Sequence, residues 1–283
     1  MTSRNQTITR LYDLSLSGMG QAYEEQLASP AACDLSFDER LGLLVDREAT
    51  DRENRRLATR LKSAHLREVA TIEDIDFRHP RGLDKATMMT LAGGQWVDEH
   101  HNILLTGPTG TGKSYLACAL AHKAVRQGNT ALYARLPRLL EDMAFARGDG
   151  RYLKLLGQLA KVTVLVIDDF GLVHLTEEQA HDILEVLEDR YMRKSTILTS
   201  QVPVEKWYDL ISDPTVADAI LDRLVHNAYT IPMKGDSMRK YRSEQGGEKK
   251  GTTAVCMGHE RSGRGGQRPP RLSLARTMMA SAE

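Results

Sequence analysis

Apolar side chains return every three or four positions through the first seventy residues. Leu11, Leu14, Met19, Tyr23 and Leu27 form one stripe, broken near Gly18 and Gly20, and this period is that of a helix face. Pro30 closes the segment. Ser36-Phe37-Asp38-Glu39 has the Ser-x-x-Glu order of a capping box and predicts a second helix through Leu41, Leu44 and Val45. Extended further, that helix carries a packing stripe of Leu57, Leu61 and Ala64 beside a polar stripe of Arg56, Arg60, Ser63 and Arg67. From Gly82 the pattern changes. Short apolar runs at 103–106, 130–134, 162–167, 195–200 and 228–232 predict strands, and helical periods fall at 113–127, 137–146, 151–160, 177–192, 204–210 and 215–225. Five strands joined by helical crossovers predict an α/β fold, a parallel five-stranded sheet flanked by helices and preceded by a small all-helical region.

These patterns divide the chain into a helical N-terminal domain at 1–70, a core at 71–242 that begins with a linker over 71–80, and a tail at 243–283. The tail holds Gly246-Gly247, Gly265-Gly266 and Pro269-Pro270 without periodicity and reads as disordered.

Composition narrows the class. No apolar run approaches the roughly 18 residues of a membrane span, and the start lacks an apolar signal core, so the expectation is a cytoplasmic protein without a membrane partner. Cys33, Cys118 and Cys256 offer neither a disulfide framework nor a Cys-x-x-Cys metal pair. Basic and acidic residues balance at 38 each, so a nucleic-acid site must be local. The most biased window holds Arg52, Arg55, Arg56, Arg60, Lys62 and Arg67 against the single Glu53, a net +5 on one helix. These six residues are the candidate contacts to DNA phosphates.

The chemistry lies farther along. Gly107-Pro108-Thr109-Gly110-Thr111-Gly112-Lys113-Ser114 stands between a strand pattern and a helix pattern. Its glycines let backbone N–H groups face a triphosphate, the helix N-terminus favours negative charge, Lys113 reaches the β/γ-phosphates and Ser114 supplies a Mg²⁺ ligand. The motif predicts ATP or GTP as ligand. The run Val162–Ile167 ends in Asp168-Asp169. Asp168 is expected to hold Mg²⁺, and Asp169 to orient the attacking water. At the end of the next strand pattern, Gln201 is placed to reach the γ-phosphate or that water. Arg223 follows Ile220 and Leu221 on a helix whose apolar positions face a core. It is expected to point outward, where such an arginine enters a neighbouring subunit's site. Arg239, in Gly235-Asp236-Ser237-Met238-Arg239, is a candidate nucleotide contact in cis.

Together with Thr199-Ser200-Gln201-Val202-Pro203, Asp218-Ala219-Ile220-Leu221-Asp222-Arg223-Leu224-Val225-His226-Asn227, Leu43-Leu44-Val45-Asp46-Arg47-Glu48 and Arg52-Glu53-Asn54-Arg55-Arg56-Leu57, these motifs resemble the IstB-like helper ATPases of insertion sequences. Those proteins are relatives of the DnaC-type helicase loaders within the AAA+ class. The resemblance spans about residues 11–240. It implies an AAA+ core, ATP and Mg²⁺ as cofactors, Arg223 as a trans-acting finger and Gln201 as a sensor. It also implies a homo-oligomer on duplex DNA with little sequence preference, and a partner transposase. The rival expectations are a replicative helicase loader, a small-molecule kinase and a scaffold that binds nucleotide without hydrolysing it.

Overall fold

The computed structural model describes residues 3–238. Three helices come first: α1 (Ser3–Asp13), α2 (Ser17–Ala28) and α3 (Phe37–Ser63). The capping box forms as expected, with the Ser36 hydroxyl accepting from the Glu39 amide and the Glu39 carboxylate accepting in return from the Ser36 amide. From that start α3 runs unbroken for 27 residues, so the packing stripe and the basic window lie on one rod. Glu48 ties α2 to it. Buried beneath α2, its carboxylate accepts from the Gly18 amide at 2.8 Å and the Met19 amide at 3.2 Å, two of the orphan donors at that helix's N-terminus.

After α4 (Lys85–Gly93) and the single turn α5 (Gln95–Asp98), strands and helices alternate. In chain order they are β1 (Asn102–Thr106), α6 (Lys113–Arg126), β2 (Ala131–Arg135), α7 (Leu136–Gly148), α8 (Tyr152–Lys161), β3 (Val164–Phe170), α9 (Glu177–Arg190), β4 (Ser195–Ser200), α10 (Pro214–Val225) and β5 (Ala228–Pro232). The strands form one parallel sheet in the order β2-β3-β4-β1-β5, with apolar clusters on both faces. This is the expected architecture. β1, β3 and β4 are buried along nearly their whole length, which is why their sequences read as continuous apolar runs rather than alternating ones. Arg190, only 1% exposed, braces the sheet from α9: its guanidinium donates to the Leu159, Val162, Thr163 and Ser195 carbonyls and to the Thr196 hydroxyl.

Two local expectations need correction. Residues 204–210 form two short 3₁₀ turns, Val204–Lys206 and Tyr208–Leu210, instead of a helix. The Trp207 between them is fully buried against Phe170, and its indole donates to the Val202 carbonyl, so tertiary packing overrides the local period. The 71–80 stretch is more than a linker: Ile72 and Ile75 are buried in the same cluster as Met88 and Leu120. The end of α3 joins this cluster too. Leu57 and Leu61 pack against it, buried Ala64 follows them, and the Ala64 carbonyl accepts from the Tyr133 amide of β2 at 2.9 Å.

Candidate nucleotide site

The loop 107–112 leaves β1 and delivers Lys113 and Ser114 to the first turn of α6. Its glycines are required twice over. Gly107 has φ +136°, and a Cβ there would stand 2.1 Å from the Met233 carbonyl oxygen; Gly110 has φ +88°, and its Cβ would stand 2.2 Å from the Ser237 hydroxyl. The second contact belongs to a segment that folds back over the loop, where the Met238 amide donates to the Gly110 carbonyl at 2.9 Å. On the other side Arg81 is buried and donates to the Thr111 carbonyl at 3.2 Å and the Asp76 carbonyl at 2.9 Å. The Lys113 ammonium donates to the Gly107 and Pro108 carbonyls at 2.6 and 2.8 Å. Burial lowers its pKa, while Asp168 and Asp169 act in the opposite sense.

The two acids take different positions because β3 is irregular between Ile167 and Phe170, with Asp169 at φ +65°. In a regular strand successive side chains face opposite ways; the irregularity lets Asp168 lie buried behind the loop while Asp169 lines the cavity in front of it. Asp168 accepts four hydrogen bonds. The Ser114 hydroxyl at 2.8 Å and the Thr199 hydroxyl meet Oδ1, and the Tyr133 phenol at 2.5 Å and the Arg67 guanidinium at 3.5 Å meet Oδ2. Burial first, and then the bond to Asp168, push the Tyr133 phenol well above the ordinary tyrosine range. Asp169 is paired by Arg135, whose Nη2 lies 2.8 Å from Oδ2. Gln201, at the end of β4, accepts from the Thr109 hydroxyl at 2.6 Å. Together these residues border a cavity of about 300 Å³ that reaches from Thr109, Lys113 and Ser114 to Glu68 and Asp74.

The structure thus brings together the loop, Lys113, Ser114, Asp168, Asp169 and Gln201. It separates others. Arg67, expected among the DNA contacts, borders the cavity and pairs with Asp168, because the chain leaves α3 just before it and turns in along β2. Of the other basic residues, Arg52 and Arg55 are engaged by Glu48 at 2.7 and 3.3 Å, Arg56 and Arg60 stand 3.8 and 3.5 Å from Glu53, and Lys62 is exposed. Arg223 does not project freely outward: it folds onto α9, 2.7 Å from Glu188, with its guanidinium over the Tyr191 ring. Arg239 lies outside the described residues.

Residues 9–246 match the family model described as IstB-like ATP binding protein. The chain belongs to that family. A similar curated relative is the putative insertion sequence ATP-binding protein y4pL of Sinorhizobium fredii, 51% identical over 234 residues, 83% of this chain and 96% of the relative. Among solved structures, DnaI superposes with a TM-score of 0.52 at 21% identity, covering 59% of this chain and 92% of that one. The DnaC helicase loader gives 0.50 at 20%, covering 58% and 97%. At that identity the likeness shows the fold alone, an AAA+ core.

In this IstB-like chain, sequence reasoning passed over Tyr133, Arg135 and Thr199 as site residues. Thr199 had a signal, a polar residue one strand over from the two acids. Tyr133 and Arg135 lie on β2, beside β3 in register with Val166 and Asp168, a neighbour relation that only the strand order reveals. Among the described residues no helix is long and apolar enough to cross a membrane.

Proposed function

We propose that this protein is an ATP-hydrolysing, DNA-binding helper of transposition that assembles on duplex DNA and directs a partner transposase. The observation that carries the nucleotide part is the 2.8 Å approach of the Ser114 hydroxyl to Asp168 Oδ1 directly behind the loop that presents Lys113. Two adjacent hard oxygen donors, one of them a carboxylate, suit Mg²⁺, which takes its remaining ligands from water and phosphate oxygens. Bound there, the ion would neutralise charge on the phosphates. Lys113 exchanges its carbonyl partners for phosphate oxygens, Arg135 holds Asp169 by Oδ2 at the cavity wall where it orients the attacking water, and Gln201 senses the γ-phosphate.

Arg223 is the candidate to complete a neighbour's site. Its ion pair with Glu188 is partly exposed, 27% and 46% at the two side chains, and such pairs are worth about 0–1 kcal/mol, a small cost for transfer to a phosphate. The names of relatives, insertion sequence ATP-binding proteins, favour a transposition helper over a helicase loader.

The test is ATP hydrolysis measured against protein concentration, with and without duplex DNA, for the wild-type chain, Lys113→Ala and Arg223→Ala. A rate per subunit that rises with concentration and with DNA, and collapses in both variants, is expected. A flat rate that ignores Arg223→Ala would instead identify a monomeric phosphoryl-transfer enzyme.

A further inference from the structure

A carboxylate offers about four lone-pair sites, and in Asp168 each faces a donor: Ser114 and Thr199 on Oδ1, Tyr133 and Arg67 on Oδ2. A cation that coordinates this group must displace one of them. The hydroxyls of Ser114 and Thr199 can turn to present an oxygen instead, and the Tyr133 phenol is neutral. Arg67 is the donor that carries a positive charge, and 39% of its side chain is exposed on the cavity side. The other cavity cations are engaged elsewhere, Lys113 by loop carbonyls, Arg81 by the Thr111 and Asp76 carbonyls and Arg135 by Asp169.

The same place fastens α3 to the sheet. Tyr133 bonds Asp168 through its phenol and the Ala64 carbonyl through its amide, and between Ala64 and Arg67 the chain turns at His65, held at φ +48°.

We propose that Arg67 is a positioning residue of the nucleotide site: its guanidinium competes with the divalent cation for Asp168, so loading of metal-nucleotide releases Arg67 and loosens the turn that seats α3 on β2. This inference rests on the nucleotide reading above and adds a route by which occupancy reaches the helix bearing Arg56, Arg60 and Lys62.

The test is a Mg²⁺ titration of the binding of a fluorescent ATP analogue to the full chain. Arg67→Ala is expected to lower the Mg²⁺ midpoint about three- to five-fold, the worth of a half-exposed ion pair, and Arg67→Lys to restore it. Tyr133→Phe, which frees one lone pair without changing charge, should lower the midpoint by less. Hydrogen exchange of the 131–135 peptide supplies a second readout: in the wild type it should quicken with analogue plus Mg²⁺ and not with analogue plus EDTA. A midpoint within about twofold of wild type in Arg67→Ala, or exchange indifferent to Mg²⁺, overturns the proposal while leaving nucleotide binding intact. If the wild type binds the analogue no better than Lys113→Ala does, the nucleotide reading falls, and this inference with it.

Discussion

Replacing Glu48 by alanine tests how the helical region is built, and its cost follows from four hydrogen bonds. The Glu48 side chain accepts from the Gly18 and Met19 amides and from Arg52 and Arg55. Burial alone would raise its carboxyl pKa, but these donors outweigh it and hold it below the ordinary glutamate range. Alanine leaves the Gly18 amide buried and the Met19 amide half-buried without an acceptor, at about 1–3 kcal/mol for a fully buried donor and less for the other. Arg52 and Arg55, each about half exposed, rehydrate and add about 0–1 kcal/mol. The sum is about 2–4 kcal/mol, or about 5–15 °C in Tm for a protein of this size. Thermal unfolding followed by circular dichroism measures it, and hydrogen exchange should show the loss first in α1 and α2. Because the folded pKa is depressed, the Glu48 contribution is present above the unfolded pKa and fades as pH falls through the folded one; the wild type and variant should therefore converge in acid. A Tm within about 2 °C of wild type at neutral pH would refute the assignment of Glu48 as the tie between α2 and α3.

Gly107→Ala should abolish nucleotide binding, because its Cβ would stand 2.1 Å from the Met233 carbonyl at a φ that alanine avoids; fluorescence titration with an ATP analogue measures this. Arg190→Ala should cost about 3–5 kcal/mol in chemical denaturation, since it leaves four buried carbonyls without their donor. Nucleotide affinity should fall as pH rises through the Lys113 pKa, which burial places below the usual lysine range, because phosphate binding needs the charged ammonium. A pH series of dissociation constants would show that loss beginning below about 10.4, and a flat profile up to that pH would contradict it.

The sheet was legible because β1, β3 and β4 are buried on both faces and must be written almost wholly in apolar residues. The loop, Lys113, Ser114 and the acid pair were legible because their chemistry fixes both residue type and order. What sequence hid was adjacency. Tyr133 stands on a strand with an ordinary pattern, and its phenol becomes a site group only because β2 lies beside β3. Trp207 likewise interrupts a helical period because a buried indole beside Phe170 outweighs propensity.

Arg67 shows why charge counting reaches its limit there. It shares the three-to-four-residue spacing of Arg56, Arg60 and Ser63, so on an uninterrupted helix it would extend the same polar face. The helix ends at Ser63, and His65 turns the chain with a positive φ, so the next arginine is carried toward Asp168. No apolar period marks that turn. Its cause is the fit of buried Ala64 against β2, where the Ala64 carbonyl takes the Tyr133 amide. One backbone hydrogen bond thus moves a positive charge from the basic rod to the nucleotide cavity. The polar face left on α3 is shorter by one cation, and two of its arginines are already engaged by Glu48. Any grip on DNA phosphates must therefore centre on Arg56, Arg60 and Lys62, where the opposing charge is the exposed Glu53 rather than a buried carboxylate.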